Sequence, residues 1–168
     1  MTASHEALGW SLGQPLSGDR AVAAGDTRLD GVRVALLVSG GIAACRTPML
    51  ARSLRKSGAE VVAVVTPNAL KFVAEQALAW CCQAAVITAL DDRAQHVEMG
   101  KIDVYLLAPA TYSTIAKLAH GIADNAVTTT LASALGHVES GQSKVLIAPA
   151  MHGSMVNPVL VDNLRRVQ

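Results

Sequence analysis

Apolar residues fall into short continuous runs separated by longer mixed segments. That is the pattern of a parallel sheet whose strands are covered on both faces. VRVALLV at 32–38 and EVVAVV at 60–65 are rich in β-branched residues and read as strands; Val104 to Ala108, ending at Pro109, and Lys144 to Ala148 are two more. Ala85 to Ile87 is a weaker candidate. The segments between carry helical spacing. One helix runs from Ile42 to a C-terminal Gly58, with Arg52, Arg55 and Lys56 near its end as the helix dipole favours. A second spans Ala69 to Trp80, with Phe72 and Val73 on its inner face. A third opens at Ile115 and ends near His120. AVTTTLASALG follows the turn residues Asp124 and Asn125, and VLVDNLRRV follows Asn157-Pro158. Strands alternating with helices predict a doubly wound α/β fold.

The residues after the strands are small or polar. Ser39-Gly40-Gly41 follows the first strand and Thr66-Pro67-Asn68 the second. Ala110 to Thr114 follows the third, with hydroxyls on Thr111, Tyr112, Ser113 and Thr114; Met151 and His152 lie after the fourth. Each turn taken singly has two readings. Small residues suit any tight βα turn, and Ser and Thr are ordinary helix caps. The same turns also let backbone N–H groups approach a phosphate. Neither GxGxxG nor a P-loop lysine is present. In a parallel sheet all four turns fall on the carboxyl edge, where ligands bind. Their convergence points to a nucleotide-like ligand with a phosphate and a flat ring.

Composition narrows the class. The chain has 168 residues, 51% hydrophobic and only 3% aromatic, which suits a core of Ala, Val, Leu and Ile. A net charge of +1 gives no electrostatic footprint for nucleic acid. Cys45, Cys81 and Cys82 form neither a disulfide framework nor a metal-binding spacing, so a reduced, cytoplasmic compartment and no metal are expected. Cys81 and Cys82 read as small buried hydrophobes. The first ten residues lack the features of a signal peptide, and no apolar run reaches membrane-spanning length. A mean hydropathy of +0.35 hints at apolar surface between subunits. Residues 1–31, rich in Gly, Ser, Asp and Ala, read as a flexible or subunit-contacting N-terminal extension, and residues 32–168 as the ligand-binding domain. His96, between a loop and the third strand, is by itself an ordinary surface histidine or a candidate acid/base group.

Four segments in order, SGGIAA (39–44), HVEMG (96–100), APATYSTIAKLAHGIADN (108–125) and PAMHGSM (149–155), resemble the flavin-dependent cysteine decarboxylases. Within that family the chain looks most like the phosphopantothenoylcysteine decarboxylases of coenzyme A biosynthesis. The resemblance covers roughly residues 30–168. It implies a flavodoxin-like, three-layer αβα sandwich, FMN as cofactor, and a homotrimer or dodecamer with flavin at a subunit interface. Ser39, Gly40, Gly41 and Ile42 match the first flavin turn, Thr66 and Asn68 the second; Thr111, Ser113 and Thr114 match a PASANT-like motif. Met151 would also contact the flavin, while His152 and Met155 fall in the motif that holds the substrate carboxylate.

His96 falls on the catalytic histidine of that family. The implied chemistry oxidises a terminal cysteine to a thioaldehyde, with hydride passing to the flavin; carbon dioxide then leaves and an enethiol remains. Three positions depart from the pattern: Ser113 and His152 replace asparagines, and Val156 replaces a tryptophan. A clamp cysteine that supports enethiol reduction would fall beyond Gln168, and no cysteine before it matches that role. The expected activity is decarboxylation of phosphopantothenoylcysteine. The alternatives are oxidative decarboxylation of a peptidyl-cysteine, or flavin binding without decarboxylation.

Overall fold

The strands recognisable as apolar runs pair in parallel, each along most of its length. β1 (Arg33–Val38) lies between β2 (Glu60–Val65) and β3 (Val104–Ala110), and β4 (Lys144–Pro149) pairs with the far side of β3. The computed structural model describes residues 25–90 and 102–168, and among them the sheet has four strands in the order β2-β1-β3-β4. In register, Leu36 faces Ala63 on one side and Leu106 on the other. The segment at 85–87 contributes a single parallel bridge, Ile87 with Val64, rather than a strand.

Among the described residues five α-helices cover the sheet: α1 (Thr47–Lys56), α2 (Glu75–Cys82), α3 (Tyr112–Ala119), α4 (Ala126–Glu139) and α5 (Pro158–Arg166). Alternate residues of the strands face opposite layers. Ala35, Leu37, Val62, Tyr105 and Leu107 pack against Ile115, Leu118, Val127, Leu131 and Leu160 of α3, α4 and α5. Val34, Leu36, Val38, Val61 and Ala63 pack against Ala51, Leu78 and Cys82 of α1 and α2. This is the expected αβα sandwich. β1 and β2 are buried on both sides, which is why their sequences are apolar at successive positions. On the face that carries α1 and α2, cover is incomplete over β4, where Leu146 is 51% exposed.

The expected helix from Ile42 is two pieces, a 3₁₀ turn over Ile42–Arg46 and then α1. Pro48 lies in the first turn of α1, where its missing N–H and fixed φ are tolerated; further inside one continuous helix both would be costly. The segment expected as a helix from Ala69 likewise breaks into a 3₁₀ turn, Ala69–Lys71, and α2. Phe72 falls at that break and is 40% exposed, not on the inner face; Val73 is buried as expected. Gly58 takes φ of +96°, the left-handed residue just past the end of α1. Part of the expected extension, from Gly25 to Leu29, hydrogen-bonds to the end of α1 through Lys56 and Ser57.

Arg55 ties α1 to α2, its guanidinium donating to the Cys81 carbonyl and to Gln83. Cys82 is buried, and burial pushes its thiol up to about 12, which suits an inert core residue. Cys81 is partly buried and Cys45 exposed, and all three thiols are free.

At the opposite end of the sheet from the turns, Asp103 clamps the start of β1. Its carboxylate accepts the Arg33 backbone N–H at 2.8 Å and the guanidinium at 3.2 Å. Burial by itself would raise this carboxyl, but the hydrogen bonds and charge of Arg33 together outweigh it and hold the group below its ordinary value. A depressed carboxyl stabilises the fold above its unfolded-state value and ceases to do so as pH falls through the folded one. Because the pair is partly exposed, Asp103→Asn is expected to cost about 0.5–1 kcal/mol at neutral pH. Urea midpoints measured from neutral to acid pH should show that gap closing; a gap independent of pH would contradict the assignment.

Candidate functional site

The strand order places a topological switch between β1 and β3, because the chain leaves β1 to one side for β2 and to the other for β3. At such a point the crevice past the carboxyl ends of the strands is open. A single side chain joins the two strand ends across it. Ser39 is fully buried; its hydroxyl donates to the Pro109 carbonyl at 2.6 Å and accepts the Thr111 N–H at 2.9 Å. Ser39 therefore builds the crevice from behind and is not part of its wall.

The glycines next to it set how closely the neighbouring corners approach. A Cβ on Gly40 would sit 2.4 Å from Cβ of Asn68 and 2.7 Å from its carbonyl carbon. A Cβ on Gly41 would meet the Thr111 methyl at 3.2 Å. Thus Gly40 admits the β2 corner and Gly41 the β3 corner. Thr66 closes the β2 corner by accepting the Ala69 N–H on its hydroxyl at 3.2 Å, leaving Pro67 and Asn68 exposed at the rim.

Thr111 is the N-cap of α3 in extended conformation, and its side chain does not cap the helix. The Thr111 hydroxyl instead pairs with that of Thr114 at 3.1 Å. The helix begins at Tyr112, three residues earlier than the sequence suggests, so Ser113 and Thr114 belong to its first turn. That turn presents the partial positive charge of amides lacking intrahelical partners. The Tyr112 hydroxyl donates to Asn157, whose side chain also caps α5 by accepting the Leu160 N–H; the β3 and β4 corners are joined there.

These corners enclose a cavity of about 910 Å³. Its wall takes Gly40, Gly41 and Ile42 from the β1 corner, and Thr66 and Asn68 from β2. Thr111, Ser113 and Thr114 come from β3, and Met151, His152 and Met155 from β4. Of the site residues expected from sequence, Ser39 lies behind the wall and His96 lies outside the described residues. The cavity also recruits Lys117, Asp124 and Asn125. Asp124 accepts a 2.6 Å bond from Lys117. That bond, foremost among several, holds its carboxyl below the ordinary value. Asn125 caps α4 in a reciprocal box with Thr128. The spacing of Lys117 three residues after Thr114 on one helix was the available signal for the first of these. Among the described residues no cluster of His, Cys, Asp and Glu could hold a metal.

The cavity's place and lining define an α/β protein with a nucleotide-type ligand site at its switch point. The chain belongs to the Flavoprotein family, whose pattern matches residues 23–168. It is 36% identical over 147 residues to the coenzyme A biosynthesis bifunctional protein CoaBC of Thermococcus kodakarensis, covering 84% of this chain and 35% of that protein. CoaBC of Escherichia coli is 37% identical over 133 residues, covering 76% and 31%. The chain thus spans about a third of the length of these curated relatives. Among solved structures, the FMN-dependent cysteine decarboxylase TvaF from thioviridamide biosynthesis superposes with a TM-score of 0.68 at 28% identity, covering 82% of this chain and 85% of that one. A PPC decarboxylase mutant complexed with pantothenoylaminoethenethiol gives 0.67 at 27% identity, covering 81% and 76%.

The two glycines differ in a way that can be measured. Gly40→Ala is expected to destabilise by about 1–3 kcal/mol, because backbone of the β2 corner must move. Gly41→Ala should cost less, since a methyl group has only to give by a few tenths of an ångström. Equal unfolding midpoints for the two variants would contradict the packing account.

Proposed function

We propose that the chain binds FMN in this cavity and acts as a flavin-dependent carboxy-lyase on a substrate ending in a cysteine carboxylate, most simply phosphopantothenoylcysteine. One observation carries the reading: four strand ends converge on a single cavity in which glycine is required at the β1 corner and the first turn of α3 is left uncapped by Thr111. That cavity fits a phosphate-bearing planar cofactor. Family membership and the names of the relatives support it from a separate direction.

When bound, the flavin supplies the hydride acceptor that lets a cysteine side chain become a thioaldehyde, from which carbon dioxide departs. The chain's own residues do the rest. The amides of the α3 first turn and of Gly40 and Ile42, with Gly41 lending close approach and Ser113 at the rim, would hold the phosphate and ring edge. Thr66, Asn68, Thr111, Thr114 and Met151 would shape the cofactor's bed. His152 and Met155 would meet the substrate carboxylate and its neighbouring carbons. His96 would move the thiol proton, a role that suits an imidazole at neutral pH.

The domain reading goes with it: residues 32–168 form the FMN-binding domain, with 1–31 as an extension. We further place the protein in the cytoplasm as a homotrimer or dodecamer. Its three free thiols favour a reducing compartment, and Leu146, exposed on an otherwise covered sheet face, favours a subunit contact. No helix among the described residues is long and apolar enough to cross a membrane.

A second reading, a peptidyl-cysteine decarboxylase, is favoured by the structural likeness to TvaF, whose match covers 85% of that chain. Purified protein reconstituted with FMN should be yellow. It should release carbon dioxide from phosphopantothenoylcysteine; release only from Cys-terminal peptides would select the second reading. A colourless protein refutes both. His96→Asn is expected to keep the flavin absorption band and to lose roughly 10²–10⁴-fold in turnover. Undiminished turnover in that variant removes His96 from its assigned role.

A further inference from the structure

The turn that brings Met151, His152 and Met155 to the cavity wall is tied down at its two ends. Residues 152–156 are all exposed. Among the described residues their hydrogen bonds close within the turn. The Met155 N–H donates to the His152 carbonyl, the Val156 N–H to the Gly153 carbonyl, and the Ser154 N–H to the His152 ring. A turn bonded to itself moves as one piece about its ends. At the near end, the Ala150 N–H donates to the Ala110 carbonyl at 3.0 Å, and Met151 packs on the core. At the far end, the Tyr112 hydroxyl donates to Asn157 Oδ1 at 3.3 Å. That same oxygen accepts the Leu160 N–H at 3.0 Å, so it joins the start of α5 to the start of α3. Both ties therefore run to the β3 corner, to the two residues that flank Thr111, the N-cap of α3.

We propose that Tyr112 is a positioning residue: through Asn157 it sets where the β4 turn stands relative to the first turn of α3, and so where the substrate's carboxylate end stands relative to the cofactor. This rests on the proposed substrate site at that turn. The side chain suits the task. Its ring is half-buried and packs on the core, so the hydroxyl is delivered on a rigid arm. Its hydroxyl proton is committed to Asn157, which sets Tyr112 apart from an acid of the reaction. With the near end alone tied, the turn can swing on Ala150; the second tie removes that freedom. A displacement of about 1 Å between reacting groups is enough to lose much of the benefit of binding them together.

The test removes the tie and keeps the helix cap. Tyr112→Phe retains the packed ring and loses the hydroxyl. Asn157→Ser retains an oxygen that caps α5 but is too short to reach the phenol. Two measurements on the full chain loaded with FMN read the result. In ¹³C-methyl methionine spectra, the Met155 signal should shift or broaden in each variant while that of Met49, on α1, stays. The S-methyl thioether of phosphopantothenoylcysteine keeps the carboxylate but cannot become a thioaldehyde. By calorimetry it should bind each variant about three- to tenfold more weakly, with no further loss in the double variant. The same thioether lacking the carboxylate should bind all forms alike, and the flavin absorption band should be unchanged. An unmoved Met155 signal, equal losses with both thioethers, or losses that add in the double variant overturn the inference, even in an enzyme that releases carbon dioxide. So does a chain that binds neither thioether. The expected pattern in a protein that releases no carbon dioxide overturns the proposed decarboxylation and leaves the role of Tyr112 standing.

Discussion

One buried serine holds the working end of this molecule together. Ser39 joins the carboxyl ends of β1 and β3 by donating to Pro109 and accepting from Thr111. Sheet hydrogen bonds fix the two strands along their length, but the paired register of β1 and β3 stops at Leu37 with Leu107. Past that point the strand ends would diverge towards helices on opposite faces. Beyond the ladder the Ser39 backbone N–H donates to Pro109 at 3.3 Å, and the shorter bonds of its hydroxyl reinforce that link, where a side-chain bond in a dry setting is costly to lose. The close approaches of Gly40 to Asn68 and of Gly41 to Thr111 depend on those ends being held.

A consequence is that several hydroxyls at the site are already engaged within the protein. Thr66 closes its own corner, and Thr111 and Thr114 engage each other. Under the proposed function, ligand recognition would thereby shift towards backbone N–H groups and the rim. A backbone amide in a packed corner keeps its direction, whereas a free hydroxyl rotates. Rigid placement of such donors is what anion and ring-edge recognition requires.

Much of the fold was legible in the residues, and the reasons differ by element. β2 is read to the residue because burial on both faces makes its whole length apolar between Glu60 and Thr66. The N-terminal start of α5 is plain because Asn157 caps and Pro158 follows. The helix segments after β1 and β2 were less legible. Their helical spacing continues through a 3₁₀ turn; Pro48 was the available signal for the first break, whereas the break at Phe72 shows only in backbone geometry. Lys117 and Asp124 lie inside the quoted segment 108–125 but were not singled out as cavity residues, because their place on the wall depends on a salt bridge between a helix end and the next loop.

Taken by itself, the amino-acid sequence determined the strand and helix types, the parallel arrangement, and the gathering of small and polar corners on one edge. Those follow from local burial patterns and from the geometry of parallel crossovers. Only the tertiary structure decided which of the corner side chains face the cavity and which stand behind it. Ser39 reads like a ligand-binding serine and acts as a cross-link. The physical reason is that a hydroxyl or an imidazole bonds equally well to a ligand or to a neighbouring strand. Its partner is chosen by residues distant in the chain, 70 positions away for Ser39 and Pro109.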